Sequence, residues 1–155
     1  MRRLGLVIAT CGYLGYSPVA PGTVGSVAGL LVFGAVRWTG SIWVELGAIA
    51  AIFALGVWSG SVAERHFGAV DPAPVVLDEV VGMLITLLMV PVTLTGAIAG
   101  FLLFRVFDVI KPWPAGRLER LPGGLGVMAD DAMAAVYANL ALRLLVVVTP
   151  EGWLT

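Results

Sequence analysis

Two pairs of adjacent carboxylates, Asp78-Glu79 in VLDEVVGMLIT and Asp130-Asp131 in GVMADDAMAA, each stand directly before an apolar segment that reads as a helix. A single acid in such a place is ordinary, because the dipole and free N–H groups of a first turn favour an anion by roughly 0.3–1 kcal/mol. Two abutting pairs are less easily explained, since a cap needs one acceptor and neighbouring like charges repel. Clustered carboxylates beside apolar segments ask for a counter-cation. Hard oxygen donors, with one cysteine (Cys11) and one histidine (His66) in the whole chain, point to Mg2+ rather than zinc. Asp78, Glu79, Asp130 and Asp131 are therefore the candidate metal ligands.

A second group lies in GFLLFRVFDVIKPWP, where Arg105, Asp108 and Lys111 are spaced by three and form one drifting polar stripe on a helix that Pro112 and Pro114 end. Arginine and lysine there suit a phosphate, with Asp108 orienting the arginine or reaching the metal. Thr23, in SPVAPGTVGS, follows a rigid turn that runs into a helix, and its hydroxyl with the free amides nearby suits an anion. The glycines of PGGLGVMADD would let backbone approach a ligand. His66 reads as a solvated loop residue. A Ser-His-Asp triad or a two-histidine phosphatase mechanism would have to rest on it alone. The cysteine-phosphatase loop, the Asp-x-Asp nucleophile pair and the Gly-Lys-Ser/Thr of a P-loop are all absent. Metal-assisted chemistry remains.

The setting for these side chains is a membrane. The 155 residues are 59% hydrophobic and 12% charged, with a mean hydropathy of +1.00, whereas soluble domains carry about 25% charge. Apolar blocks run from about Val24 to Trp38, Ile42 to Trp58, Val80 to Phe104 and Ala132 to Val148. The expected fold is an all-α, polytopic membrane bundle forming one domain over 1–155. Val80 to Phe104, interrupted by Pro91 and Gly96, is expected to turn back as a helical hairpin. Arg2, Arg3, Arg65, Arg105, Lys111, Arg117 and Arg120 then share one face, with Arg37 and Arg143 opposite, the positive-inside pattern for a cytoplasmic N-terminus. The N-terminal MRRLGLVIATCGYLGYSP lacks a small-x-small cleavage site and is read as retained. A net charge of −1 and a pI near 5.7, without a basic stripe, give no argument for nucleic acid. Gly25, Gly29 and Gly34 would permit a homodimer without requiring one.

Taken together, SPVAPGTVGS, DPAPVVLDEVVGMLIT, GFLLFRVFDVIKPWP and GGLGVMADDAMAA resemble the phosphatidylglycerophosphatase A family of bacterial membrane phosphatases. Departures are mild and touch no charged position, Ala115 standing where the family often has isoleucine. The resemblance implies Mg2+-dependent hydrolysis of phosphatidylglycerophosphate to phosphatidylglycerol and phosphate, at the cytoplasmic face of the inner membrane. The other readings are a phosphatase of another lipid or prenyl phosphate, and a non-enzymatic ion-binding subunit of a transporter, for which Glu45 inside the second apolar block is the best feature.

Overall fold

Proline and glycine punctuation sets the boundaries of seven helices in a computed structural model that describes residues 1–150 and 152–155. They are α1 (Arg2–Ala9), α2 (Pro21–Arg37), α3 (Ile42–Phe67), α4 (Leu77–Leu87), α5 (Leu94–Ile110), α6 (Ala115–Leu118) and α7 (Gly124–Val148), with one 3₁₀ turn at Leu14–Tyr16. The described residues form no strand. Pro21 opens α2, and Gly68 closes α3 in the left-handed conformation open to glycine. Two helices, α3 and α7, are long and apolar enough to cross a membrane, and only 22% and 28% of their most apolar windows are buried inside the protein. Their remaining apolar surface faces outward, as lipid contact requires.

Helix α4 is the axis of the bundle. It is 11 residues long, and ten of them are buried. Close approach to α2 is possible because two glycines stand opposite it: a Cβ on Gly25 would lie 2.7 Å from Val76 Cβ, and one on Gly29 2.7 Å from Met83 Cβ. Two of the three glycines that would serve a dimer face are thus occupied within the chain. Helix α4 runs parallel to α2 and α7 and antiparallel to α5, where Gly82 admits the Phe104 ring and Gly100 admits Leu87. Met83, Leu87, Phe104, Ala134, Ala138 and Leu142 form the main core beneath it.

The hairpin over 80–104 is present, with altered bounds. The chain breaks at 88–93, and α5 starts at Leu94 with the Thr93 side chain accepting from the Gly96 N–H. Gly96 lies within α5 rather than in the turn, and the position needs glycine because a Cβ there would collide with the Leu154 carbonyl. Helix α3 outlasts its apolar block by nine residues, so His66 belongs to its last turn instead of a loop. Helix α7 begins at Gly124, not Ala132, which places Asp130 and Asp131 two turns inside the helix rather than at its mouth. The glycines of 123–126 pack helix against helix: the Gly124 N–H donates to Ser61 Oγ at 2.9 Å, and a Cβ at Gly124 would meet the backbone of α3.

Three polar side chains answer the last carbonyls of α4. Asn139 Nδ2 donates to the carbonyls of Ile85, Thr86 and Leu88 at 2.9–3.2 Å. Arg143 reaches the carbonyls of Leu88 and Met89, and Arg37 reaches that of Leu87 at 3.0 Å. Arg37 also pairs with Glu45 at 2.7 Å. Glu45 therefore neutralises a capping arginine, which removes the main feature favouring an ion path. Since a buried group left without its partner costs about 1–3 kcal/mol, Asn139→Leu is expected to lower the thermal midpoint in detergent by several degrees. Leu140→Ala, on the exposed face, is the control and should leave it nearly unchanged.

Candidate active site

At the opposite end of α4 the polar groups are acids. Asp78 and Glu79 occupy its first turn, where the free N–H groups point. Because α4 starts deeper in the bundle than α2 and α7 do, this turn forms the floor of a cleft of about 370 Å³. Asp71, Asp78, Glu79, Asp108 and Asp131 line it together with Arg105 and the start of α2 at Ala20, Pro21 and Gly22. Five carboxylates thus face a single guanidinium.

The arrangement selects three of those acids. Carboxylate oxygens of Asp78, Glu79 and Asp131 all lie within 4.8 Å of one another, and the three residues are at most 9% exposed. Glu79 Oε2 is buried without a hydrogen-bond partner among the described residues. Buried like charges at this spacing and an orphaned acceptor fit a divalent cation with hard oxygen ligands. Glycine makes the approach possible: a Cβ on Gly22 would overlap Glu79 Oε1 and stand 3.1 Å from both terminal nitrogens of Arg105. Arg105 Nη1 is held 2.8 Å from Asp108 Oδ2 and 3.7 Å from Glu79 Oε1. On its other side Arg105 lines an apolar groove with Leu102, Val106, Val109 and Ile110.

Asp130 faces elsewhere. Its Oδ2 accepts from Lys111 Nζ at 2.5 Å, and Lys111 also lies 3.6 Å from Glu119. Burial works against the Lys111 charge, but the Asp130 hydrogen bond prevails and holds its pKa above the ordinary lysine range. Lys111 takes the left-handed conformation at the end of α5, ahead of Pro112, and so leaves the stripe of Arg105 and Asp108. Thr23 sits in the first turn of α2, its N–H donating to the Ala20 carbonyl at 2.9 Å; its neighbours, not Thr23 itself, line the cleft. Sequence reasoning passed over Asp71 as one more charge in a polar loop. The only signal for it was its place seven residues before Asp78, in the quoted DPAPVVLDE. Burial outweighs the nearby Lys111 ammonium and lifts its pKa to about 6.

Fold and cleft define an integral membrane protein with an acid-lined polar site at one end of its bundle. Comparison with known proteins supplies the family. The family model for phosphatidylglycerophosphatase A matches residues 7–146. A protein of Bacteroides thetaiotaomicron named "Putative phosphatidylinositol-3-phosphatase" is 37% identical over 146 residues, covering 90% of this chain and 91% of that one. The phosphatidylglycerophosphatase A of Escherichia coli K12 is 36% identical, over 80% of this chain and 73% of its own. That of Haemophilus influenzae is 35% identical, over 79% and 77%. No solved structure matches the chain. The chain belongs to the phosphatidylglycerophosphatase A family and is a phosphoric monoester hydrolase of the lipid phosphatase type.

Two outcomes follow from the geometry. Gly22→Ala should cut turnover at least ten-fold with the fold intact by circular dichroism, because the added methyl displaces Glu79 or Arg105. The raised Asp71 pKa means that the folded state holds this proton more tightly than the unfolded chain. Stability contributed by protonated Asp71 is then lost as pH rises from about 4 to about 6. Asp71→Asn should flatten that part of the curve of unfolding midpoint against pH.

Proposed function

We propose that the chain hydrolyses the terminal phosphate of phosphatidylglycerophosphate, giving phosphatidylglycerol and inorganic phosphate, at the cytoplasmic face of a bacterial inner membrane and with Mg2+. The observation that carries this reading is the convergence of Asp78, Glu79 and Asp131 beside Arg105. The names of the relatives supply the substrate, and the arginines distributed toward the acid end support the cytoplasmic orientation.

Asp78, Glu79 and Asp131 would hold the Mg2+, with Asp108 beside them through Arg105. When bound, the ion would supply positive charge to the phosphoryl oxygens and would lower the pKa of nearby water. Arg105 binds two phosphoryl oxygens through its terminal nitrogens, held at a fixed angle by Asp108. The start of α2 closes over the phosphate with amide rather than side-chain bulk, as Gly22 requires. Lys111, locked to Asp130, places a second positive charge near Asp71. Protonated Asp71 lines the same cleft and gives its proton to the departing glycerol oxygen. Thr23 steadies the α2 turn behind Gly22.

A second substrate class has its own support, since the relative aligned over 91% of its length bears the name "Putative phosphatidylinositol-3-phosphatase". Purified protein is therefore assayed for phosphate release from phosphatidylglycerophosphate, phosphatidylinositol 3-phosphate and a prenyl phosphate, with Mg2+ and with chelator. The expected result is release from phosphatidylglycerophosphate at least ten-fold faster than from the others, abolished by chelator and restored by Mg2+. Asp78→Asn and Asp131→Asn should each lower kcat at least 100-fold while folding normally, and Arg105→Gln should chiefly raise KM. Full turnover in either aspartate variant would overturn the assignment of the metal site.

A further inference from the structure

A second polar cavity, of about 390 Å³, opens between the start of α1 and the last turns of α3. It shares no lining residue with the acid cleft. Trp58, Val62, Arg65 and His66 come from α3, at spacings that put them on one side of the helix. Arg2 comes from α1, which crosses α3 at a glycine: a Cβ on Gly5 would lie 2.9 Å from Val62 Cγ1. This crossing brings Arg2 Nη2 to 2.5 Å from His66 Nδ1. A guanidinium has no acceptor, so Nδ1 accepts and the imidazole proton sits on Nε2. The cavity therefore offers Arg2, Arg65 and an imidazole N–H, all of them donors.

Among the described residues no carboxylate pairs with this charge. The ion pairs among the described residues belong to Arg37, Arg105 and Lys111, and neither Arg2 nor Arg65 makes one. The cavity is also graded in polarity. Its cations lie at the helix ends, whereas Val62 and Trp58 lie one and two turns further into a helix apolar enough to span the bilayer. Charge outside and hydrocarbon inside, within two helical turns, is the profile of a phospholipid at the interface.

We infer that this cavity is a second lipid site, in which Arg2, Arg65 and the His66 N–H bind the phosphate of an anionic glycerophospholipid while its acyl chain lies on Trp58 and Val62. A zwitterionic headgroup fits poorly, since its ammonium meets the arginines. Free phosphate shares the anion chemistry and lacks the chain, so the two sources separate by experiment.

The test is native mass spectrometry of the delipidated full chain in detergent, titrated with phosphatidylglycerol, phosphatidylcholine or soluble glycerol 3-phosphate. The background is Asp78→Asn, which silences turnover without touching this cavity. Phosphatidylglycerol should be retained at least five-fold more strongly than phosphatidylcholine. Arg2→Gln with Arg65→Gln should remove that preference, Arg65→Gln alone should reduce it about three-fold with the Arg2–His66 contact preserved, and Trp58→Ala should weaken both lipids. Arg3→Gln, outside the cavity, should change nothing. Retention at wild-type levels in the Arg65→Gln protein, or equal retention of the two lipids, overturns the proposal. So does displacement of phosphatidylglycerol by equimolar glycerol 3-phosphate, which would make this a plain anion site.

Discussion

A short helix set deep in a bundle must find partners for the unpaired backbone groups at its two ends, and α4 sets this requirement for the whole bundle. Its two ends call for opposite chemistry. The carbonyl end draws Arg37, Asn139 and Arg143, donors supplied by α2 and α7. The N–H end favours negative charge, and there the sequence places Asp78 and Glu79. One helix thereby gathers donors around its carbonyl end and carboxylates around its N–H end. The acid cleft opens at the N–H half of that arrangement.

Packing around α4 makes the acid cluster tolerable. Gly22, Gly25 and Gly29 let α2 lie against it closely enough that Glu79 has no room to turn away. Asp131 reaches the same point only because α7 runs parallel to α4 and starts two turns earlier. Charges confined in this way repel one another strongly, and part of the repulsion is answered within the chain: Arg105 is shared between Glu79 and Asp108, and Lys111 takes Asp130. What remains unanswered is concentrated on Asp78, Glu79 and Asp131.

Much of this was legible in the sequence, for a definite reason. Charged side chains in an apolar chain are costly, so those that persist mark polar work, and DEVVGM, FRVFD and GVMADD all converge on the cleft. The hairpin was legible from Pro91 and the distribution of arginine. The helix limits were less so. Hydropathy sees the membrane and not the helix, so the end of α3 and the start of α7 were misplaced where the helix continues past the apolar block. Adjacent residues on a helix point about 100° apart, which is why Asp130 and Asp131 part company, one toward Lys111 and one toward Asp78. No count of acids reveals that. Asn139 and Glu45 were opaque for a related reason: each answers a partner more than 50 residues away or across a turn, and neither carries a motif.

Arg105 borders both the acid cleft and the shallow apolar groove lined by Leu102, Val106, Val109 and Ile110. An enzyme that splits an amphiphile makes two unlike products, one for water and one for the bilayer. On the reading above they part at this guanidinium, the small anion leaving upward past α2 while the lipid slips sideways along α5. Neither has to cross the other's path, and the remaining lipid never has to leave the membrane.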